Sequence, residues 1–164
     1  NNIIWMDADY SHPPSYLKKI IDQNRKDTET DLIVFSRFLK SSKRYYKNEN
    51  FKPKFIDLLS IALNKTCKFL LFKDFTDYTS GYICIKKSVF NNYKLKGYYG
   101  DYFIRLICDC YINKRKIREF PFIEKDRSSG HSKTTFNKVN FFIKCFYYLI
   151  VVIESFFKKI FIYK

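Results

Sequence analysis

Glycine and proline are scarce, four of each in 164 residues, which excludes a low-complexity linker or a collagen-like chain. Acidic residues are also few, 16 against 31 Lys and Arg, for a net charge of +15. With 46% apolar residues the chain is nonetheless no disordered tail, and its length suffices for one domain with its own core. CxxC spacing is absent. The cysteines Cys67, Cys84, Cys108, Cys110 and Cys145 are odd in number, which argues against a disulfide framework or a zinc site and favours a reducing compartment. They read as core thiols. The longest apolar run, Cys145 to Ile153, lies between Lys144 and Glu154, well short of the roughly 20 residues a spanning helix needs. The opening residues, Asn1 to Met6, carry no signal-peptide pattern. They read as a strand in mid-fold, so the expectation is the C-terminal part of a longer protein.

What is abundant is aromatic and basic. Phe and Tyr number 18 and 14, and the positive charge calls for an anionic partner: nucleic acid, an acidic membrane face or a phosphate-bearing substrate. The apolar pattern predicts strands at Ile3 to Met6, Asp31 to Ser36, Gly81 to Lys86 and Lys116 to Ile123. Helices are expected from Pro13-Pro14 to Arg25, with Tyr16, Leu17, Ile20 and Ile21 on one face, and from Lys54 to Phe72, with Phe55, Leu58, Leu59, Ala62 and Leu63 at helical spacing. A short helix follows at Ser88, and an amphipathic one at Asp101 to Asn113 turns Phe103, Leu106, Ile107, Cys110 and Tyr111 inward. Arg37 to Lys54 lacks apolar periodicity and reads as a mobile loop, Ser128 to Thr135 as a polar, basic one, and a long apolar helix ends the chain. Such alternation predicts an α/β layered sheet rather than an all-helical basic protein.

Directly after the first strand stands Asp7-Ala8-Asp9. Two carboxylates at i and i+2 can turn toward one divalent cation where the chain curves. Mg²⁺ or Mn²⁺ prefers such hard oxygens and shares them with substrate phosphates. The same residues also suit the acidic approach to a helix N-terminus before Pro13-Pro14.

The segment DADYSHPPSYLKKII, Asp7 to Ile21, resembles the DAD(L)(S/Q)HPP segment of dolichol- and polyprenol-phosphate mannose synthases, within the family 2 glycosyltransferases. DLIVFSRF, Asp31 to Phe38, resembles their D-I-V-x-G-S-R-Y strand, and Asp77 to Tyr82 their D-x-T-S-G-F turn. Gly100 to Ile104 is similar to G-E-Y-F-I, and Arg118 to Lys133 to the E-V-P-x-x-F-x-x-R-x-x-G-x-S-K block. The resemblance spans about residues 2 to 150.

It implies a GT-A-like (Rossmann-like) mixed α/β sheet flanked by helices and incomplete at its N-terminus, with residues 1–135 in the glycosyltransferase domain and 136–164 as a membrane-associated helix. The implied reaction is metal-dependent, inverting transfer of a sugar, mannose foremost and glucose as alternative, from a nucleotide sugar to a polyprenyl (dolichyl) phosphate. GDP-mannose is the foremost donor. Asp7, Asp9 and Ser11 would hold Mg²⁺ or Mn²⁺, Ser11 standing where the family often has Gln. Arg37 and Arg127 would lie near the phosphates with Ser132 and Lys133, and Asp77 and Asp101 would touch substrate. Asp9, Arg127 and Lys133 would carry the catalytic electrostatics. A phosphate nucleophile is already ionised near neutral pH, so the chemistry rests on positioning and charge. Ile61 and Ile83 depart from positions where the family commonly carries basic residues, and His12 reads as a structural partner rather than a base.

In the last helix Asn137, Asn140, Lys144, Tyr148, Ser155, Lys158 and Lys159 fall on one stripe about 100° wide, while Phe142, Phe146, Leu149, Ile150, Ile153, Phe157 and Ile160 lie elsewhere. This predicts a helix lying in the membrane interface with Lys and Tyr at headgroup level; the resemblance implies an active site facing the cytoplasm. Two other readings compete: an inactive glycosyltransferase fragment, and a basic nucleic-acid-binding module. The dispersed basic residues and missing recognition motifs argue against nucleic acid as a partner.

Overall fold

The computed structural model describes residues 1–45, 55–125 and 138–162. Strands β1 (Asn2–Trp5), β2 (Leu32–Ser36), β4 (Ile83–Lys86) and β5 (Ile117–Pro121) form a mixed sheet in the order β1-β4-β2-β5. β4 runs antiparallel to both neighbours, with Trp5 and Val34 each opposite Ile83, while β2 and β5 run parallel with Ser36 opposite Pro121. Helices α1 (Tyr16–Lys26), α2 (Phe55–Leu70), α3 (Lys87–Asn91), α4 (Tyr102–Ile112) and α5 (Lys138–Ile162) complete the α/β fold.

Strand alternation divides the core. Leu32, Val34, Ile83 and Ile85 face a cluster with Cys67 and Leu71, with Phe103, Ile104 and Leu106 of α4, and with Val151 and Val152 of α5. Ile33, Phe35, Tyr82 and Cys84 point to the other face, where Ile20 of α1 and Phe122 meet them. The period-2 rule thus places α1 on one side of the sheet and α2, α4 and α5 on the other. All five residues of β2 are buried, as expected of a central strand covered on both faces. Four of the five cysteines are buried, as core thiols should be; Cys145 is exposed.

Several expectations need correction. Within the stretch expected as a loop, Lys43–Tyr45 form β3, parallel to β6 (Ile123–Lys125), with Arg44 opposite Glu124. A three-residue ladder of this kind needs no apolar periodicity, so its sequence gives no sign of it. The last strand, expected to run unbroken, divides at Phe122, whose ring drops into the α1-side core while β6 joins the second sheet. The rest of the basic stretch, 46–54, and the polar loop at 128–135 lie outside the described residues. Helix α1 begins at Tyr16; the Pro13 and Pro14 carbonyls accept from Tyr16 N–H (3.2 Å) and Leu17 N–H (2.9 Å), so the prolines lead into the helix. In α1, Ile21 is 47% exposed, and in α2, Leu58 is 52% exposed. Leu63 lies on the inward face of α2 as expected, and that face continues through Cys67 and Leu70.

Helix α5 is turned the opposite way from a helix whose polar stripe faces water. Ser155 is buried, Tyr148, Lys144 and Lys159 are partly buried, and the apolar Phe142, Phe146, Leu149, Ile153, Phe157 and Phe161 face outward. The polar residues find partners inside. Cys108 Sγ donates to the Ser155 carbonyl at 3.5 Å, and Lys159 Nζ donates to the Leu70 carbonyl (3.1 Å) and the Leu71 carbonyl at the end of α2. There it answers the negative end of the helix dipole. Glu154 meets Arg105 at 2.7 Å and Lys158 meets Asp109, so α5 is tied to α4 along its length. Among the described residues, no helix is long and apolar enough to cross a membrane.

Candidate functional site

The topology brings the sequence-assigned residues to one end of the sheet. Asp7 and Asp9 follow the carboxyl end of β1, Arg37 that of β2, and Glu124 lies just past that of β5. Because β4 runs the other way, the Asp77–Tyr82 turn that leads into it arrives at this same end. The crevice outside strand carboxyl ends is where open α/β sheets bind ligands. The charges sense one another there: His12 interacts with Asp7, Glu124, Arg37 and Asp9, and Tyr102 with Asp7.

The Asp7–Ser11 loop is fixed by its own side chains. Asp9 Oδ1 accepts from Ser11 N–H (3.0 Å) and from Ser11 Oγ (2.6 Å), an Asx turn. Tyr10, between them, adopts φ 65°. His12 is 3% exposed, stacks on Tyr82 at 4.8 Å and accepts the Asp7 N–H on Nδ1 at 2.9 Å. Burial holds its pKa below the ordinary histidine value despite the opposing pull of Asp7, so the neutral ring serves as a prop for the loop. The Asp7 carboxylate is exposed and makes no hydrogen bond among the described residues. Two carboxylates and one hydroxyl are hard donors, too few to enclose a cation by themselves. Among the described residues no group of three or more His, Cys, Asp or Glu is arranged as a metal site. This donor set therefore fits only a cation that takes the rest of its shell from water and phosphate, as Mg²⁺ does.

Arg37 and Asp77 are held by each other. Asp77 Oδ2 accepts from Arg37 N–H (2.9 Å) and Nε (2.8 Å), and Oδ1 accepts from Nη2 (2.8 Å) and Thr79 N–H (3.1 Å). Asp77 is 0% exposed. Burial alone would raise its pKa, but the guanidinium beside it holds the carboxyl below the usual range. Asp77 thus has a structural role, its oxygens engaged by Arg37 and the turn. The Nε edge of Arg37 is likewise occupied, leaving Nη1 beside Glu124 at 3.6 Å. Beneath the turn, Glu119 accepts from Thr76 N–H (2.9 Å), Thr76 Oγ1 (2.7 Å) and Asp77 N–H (3.2 Å). Asn64 Oδ1 accepts the Tyr78 N–H, and its Nδ2 donates to Thr79 Oγ1 at 3.0 Å. Glu119 and Asn64 hold the arginine's partner in place.

Asp101 is 1% exposed. It accepts from Tyr99 N–H and from Arg105 Nη1, both at 2.8 Å, so it too organises a turn. Next to it Tyr102 stacks on Trp5 at 5.2 Å, which sets the start of α4 beside the end of β1. Tyr148 of α5 approaches closely: a Cβ at Gly100 would stand 2.5 Å from its hydroxyl. Tyr148 also interacts with Asp101, Tyr102 and Arg37.

The structure therefore brings Asp7, Asp9, Ser11 and Arg37 together, with Asp77 and Asp101 as buried supports. Arg127, Ser132 and Lys133 lie outside the described residues. Sequence reasoning missed Glu119, Glu124, Tyr102 and Tyr148. For Glu119 there was a signal, a lone acid in an apolar strand; for Tyr148 the polar-stripe reading pointed away from the site. A groove of about 330 Å³ between α1 and β5, lined by Lys19, Lys26, Phe35 and Pro121 among others, shares none of the site residues. Protein-family models and curated proteins both give no match to this chain.

Proposed function

We propose that the chain belongs to a membrane-associated glycosyltransferase of GT-A type. It would transfer a sugar from a nucleotide donor to a polyprenyl phosphate. The observation that carries this reading is the convergence of the Asp7-Ala8-Asp9 loop, Arg37 and the Asp77 turn on one sheet end, three segments whose sequences each resemble segments of one family. The mixed sheet flanked by helices accords with it.

Asp7 and Asp9 would hold the divalent cation, which when bound supplies countercharge to a diphosphate leaving group. The chain's own residues do the rest by position. The Asx turn fixes Asp9, His12 fixes the backbone of Asp7, and Arg37 is locked by Asp77 with its Nη1 beside Glu124. None of these groups needs to accept a proton, because the proposed nucleophile is a phosphate oxygen already ionised near neutral pH. The outward apolar face of α5 supports membrane association, since it offers Phe142, Phe146 and Phe157 to an apolar medium; the proposed active site faces the cytoplasm.

The test is transfer from GDP-mannose to a fluorescent polyprenyl phosphate by the full-length protein in detergent, with and without Mn²⁺, beside Asp9→Ala. Metal-dependent product that disappears in the variant supports the reading; no product from GDP-mannose, UDP-glucose or other donors overturns it. A polarity-sensitive dye on Cys145, the exposed thiol of α5, tests the membrane separately. Its emission should shift to the blue with anionic vesicles, and an unmoved spectrum overturns that part.

A further inference from the structure

Helix α5 reads from sequence as an anchor appended to the domain, yet its inner face enters the candidate site. Val151 and Val152 are buried in the main core, and Tyr148 lies three and four residues earlier, on the same face. The rotation of α5 is set by Glu154 against Arg105 and by Lys159 at the end of α2, so the direction of Tyr148 is fixed by the docking of the whole helix. Its ring is half-buried with the hydroxyl against Gly100. That hydroxyl makes no hydrogen bond among the described residues, although Asp101, Tyr102 and Arg37 are its electrostatic neighbours. Its neighbours Arg37 and Asp101 are engaged in hydrogen bonds of their own. An open phenol in it is a donor awaiting an acceptor.

We propose that Tyr148 is a substrate-positioning residue, its hydroxyl donating to a non-reacting oxygen of the acceptor's phosphate monoester. This rests on the glycosyl-transfer reading above. The acceptor rather than the donor is assigned to it for two reasons. The donor diphosphate belongs with the Asp7 and Asp9 carboxylates and their cation, and Tyr148 comes from the helix whose other face is apolar. A lipid chain lying along that face would bring its phosphate to the same helix. Burial pushes the phenol up to about 12, so it stays protonated and able to donate at neutral pH. Gly100 is part of the device, since any side chain there would displace the hydroxyl.

Two variants of the full-length protein test it. Tyr148→Phe removes the hydroxyl and keeps the ring; Gly100→Ala keeps the hydroxyl and pushes it aside. The first readout is binding of farnesyl phosphate in detergent by titration calorimetry, which needs no turnover. Loss of one hydrogen bond to a charged oxygen should weaken it about tenfold in both variants. The second readout is kinetic: the KM for the acceptor should rise about tenfold, with the KM for the donor unchanged and kcat little altered. Unchanged farnesyl phosphate affinity in Tyr148→Phe, or a rise in donor KM alone, overturns the proposal while leaving glycosyl transfer standing. A wild-type protein that transfers no sugar sinks the transfer reading, and the calorimetric comparison still decides whether Tyr148 holds a phosphate.

Discussion

Replacing Asp77 by Asn keeps the shape of the side chain and removes one charge, which makes it a sharp test of the anchor under the site. Arg37 presents three donors to this carboxylate, at 2.9, 2.8 and 2.8 Å, and Thr79 a fourth at 3.1 Å. An amide can satisfy only one side. With its oxygen toward Nη2 and Thr79, its NH₂ faces the N–H and Nε of Arg37, donor against donor; flipped, it loses the other pair. The guanidinium meanwhile remains only 12% exposed, with Glu124 at 3.6 Å as its remaining countercharge. Breaking one partner of such a pair costs about 3–5 kcal/mol, a fifth or more of the roughly 5–15 kcal/mol that holds a domain together. With a urea m-value of about 1–3 kcal/mol/M, the midpoint followed by far-UV circular dichroism should fall by at least about 1 M. Removing both charges as Arg37→Met with Asp77→Leu should recover much of the loss, because the uncompensated charge disappears. A single-variant cost under about 1 kcal/mol, or a double variant as damaged as the two singles combined, would refute the picture of a desolvated pair.

Other expectations follow from the same contacts. Gly97→Ala should lower the urea midpoint, by about 1–3 kcal/mol of stability, because a Cβ there meets Asp101 Oδ2 at 2.8 Å and the Tyr102 backbone nitrogen at 2.9 Å. Lys159→Met keeps an apolar stem but removes the ammonium that lies over the Phe72 ring and donates to the Leu70 and Leu71 carbonyls, for a loss of about 1 kcal/mol in the same assay. Asp77 and Asp27 are both lowered in the folded state, Asp27 to about 2. Their stabilisation is full above the ordinary aspartate pKa near 4 and is lost as pH falls through the folded values, so urea midpoints should drop between about pH 4 and 2. Glu119, raised by burial, opposes that trend only at the upper end. Thiol titration with a disulfide reagent should find Cys145 reactive in the native protein and the other four protected until unfolding, since burial raises Cys67 and Cys110 to about 12 and Cys108 to about 11.

How far the sequence could be read depended on the kind of interaction. The strands and helices of the main sheet follow from apolar period alone: β2 is apolar from Leu32 to Phe35 because both its faces are covered, and α4 buries the residues its 3.6-residue spacing selects. The β3–β6 ladder is held by backbone pairing of charged residues, Arg44 opposite Glu124, and nothing in a hydrophobic pattern can announce it. The face of α2 was misassigned at Leu58 for a related reason. A broad apolar arc does not say which of its edges is covered when the neighbours, here α4 and α5, come from distant sequence. In the site, Asp7 and Asp9 were legible from their place after an apolar strand, whereas Arg37 was singled out only by the family resemblance. That Asp77 would consume Arg37, or that Glu119 would brace the turn from below, depends on a strand reversal which only the sheet order reveals.

The reversal of α5 has the same origin and the largest consequence. A wheel drawn from sequence assigns the polar stripe to water by default, because charge on a helix is usually solvated. Here the stripe carries groups that complete the domain: a lysine for the α2 carbonyls, a serine whose carbonyl accepts a buried thiol, and a tyrosine directed at Gly100. The apolar residues are left outside, with Phe142 at 70%, Phe146 at 61%, Leu149 at 56%, Phe157 at 52% and Phe161 at 75% exposure. Covering each of these is worth about 1 kcal/mol, so the stripe as a whole holds on the order of 5 kcal/mol for whatever apolar medium meets it. Because Tyr148 sits on the other side of that same rigid helix, a membrane that captures the outer face also fixes the inner one. On this reading anchoring and acceptor recognition are two faces of one element, and a variant that loosens the docking of α5, such as Lys159→Met, should weaken farnesyl phosphate binding without touching the site.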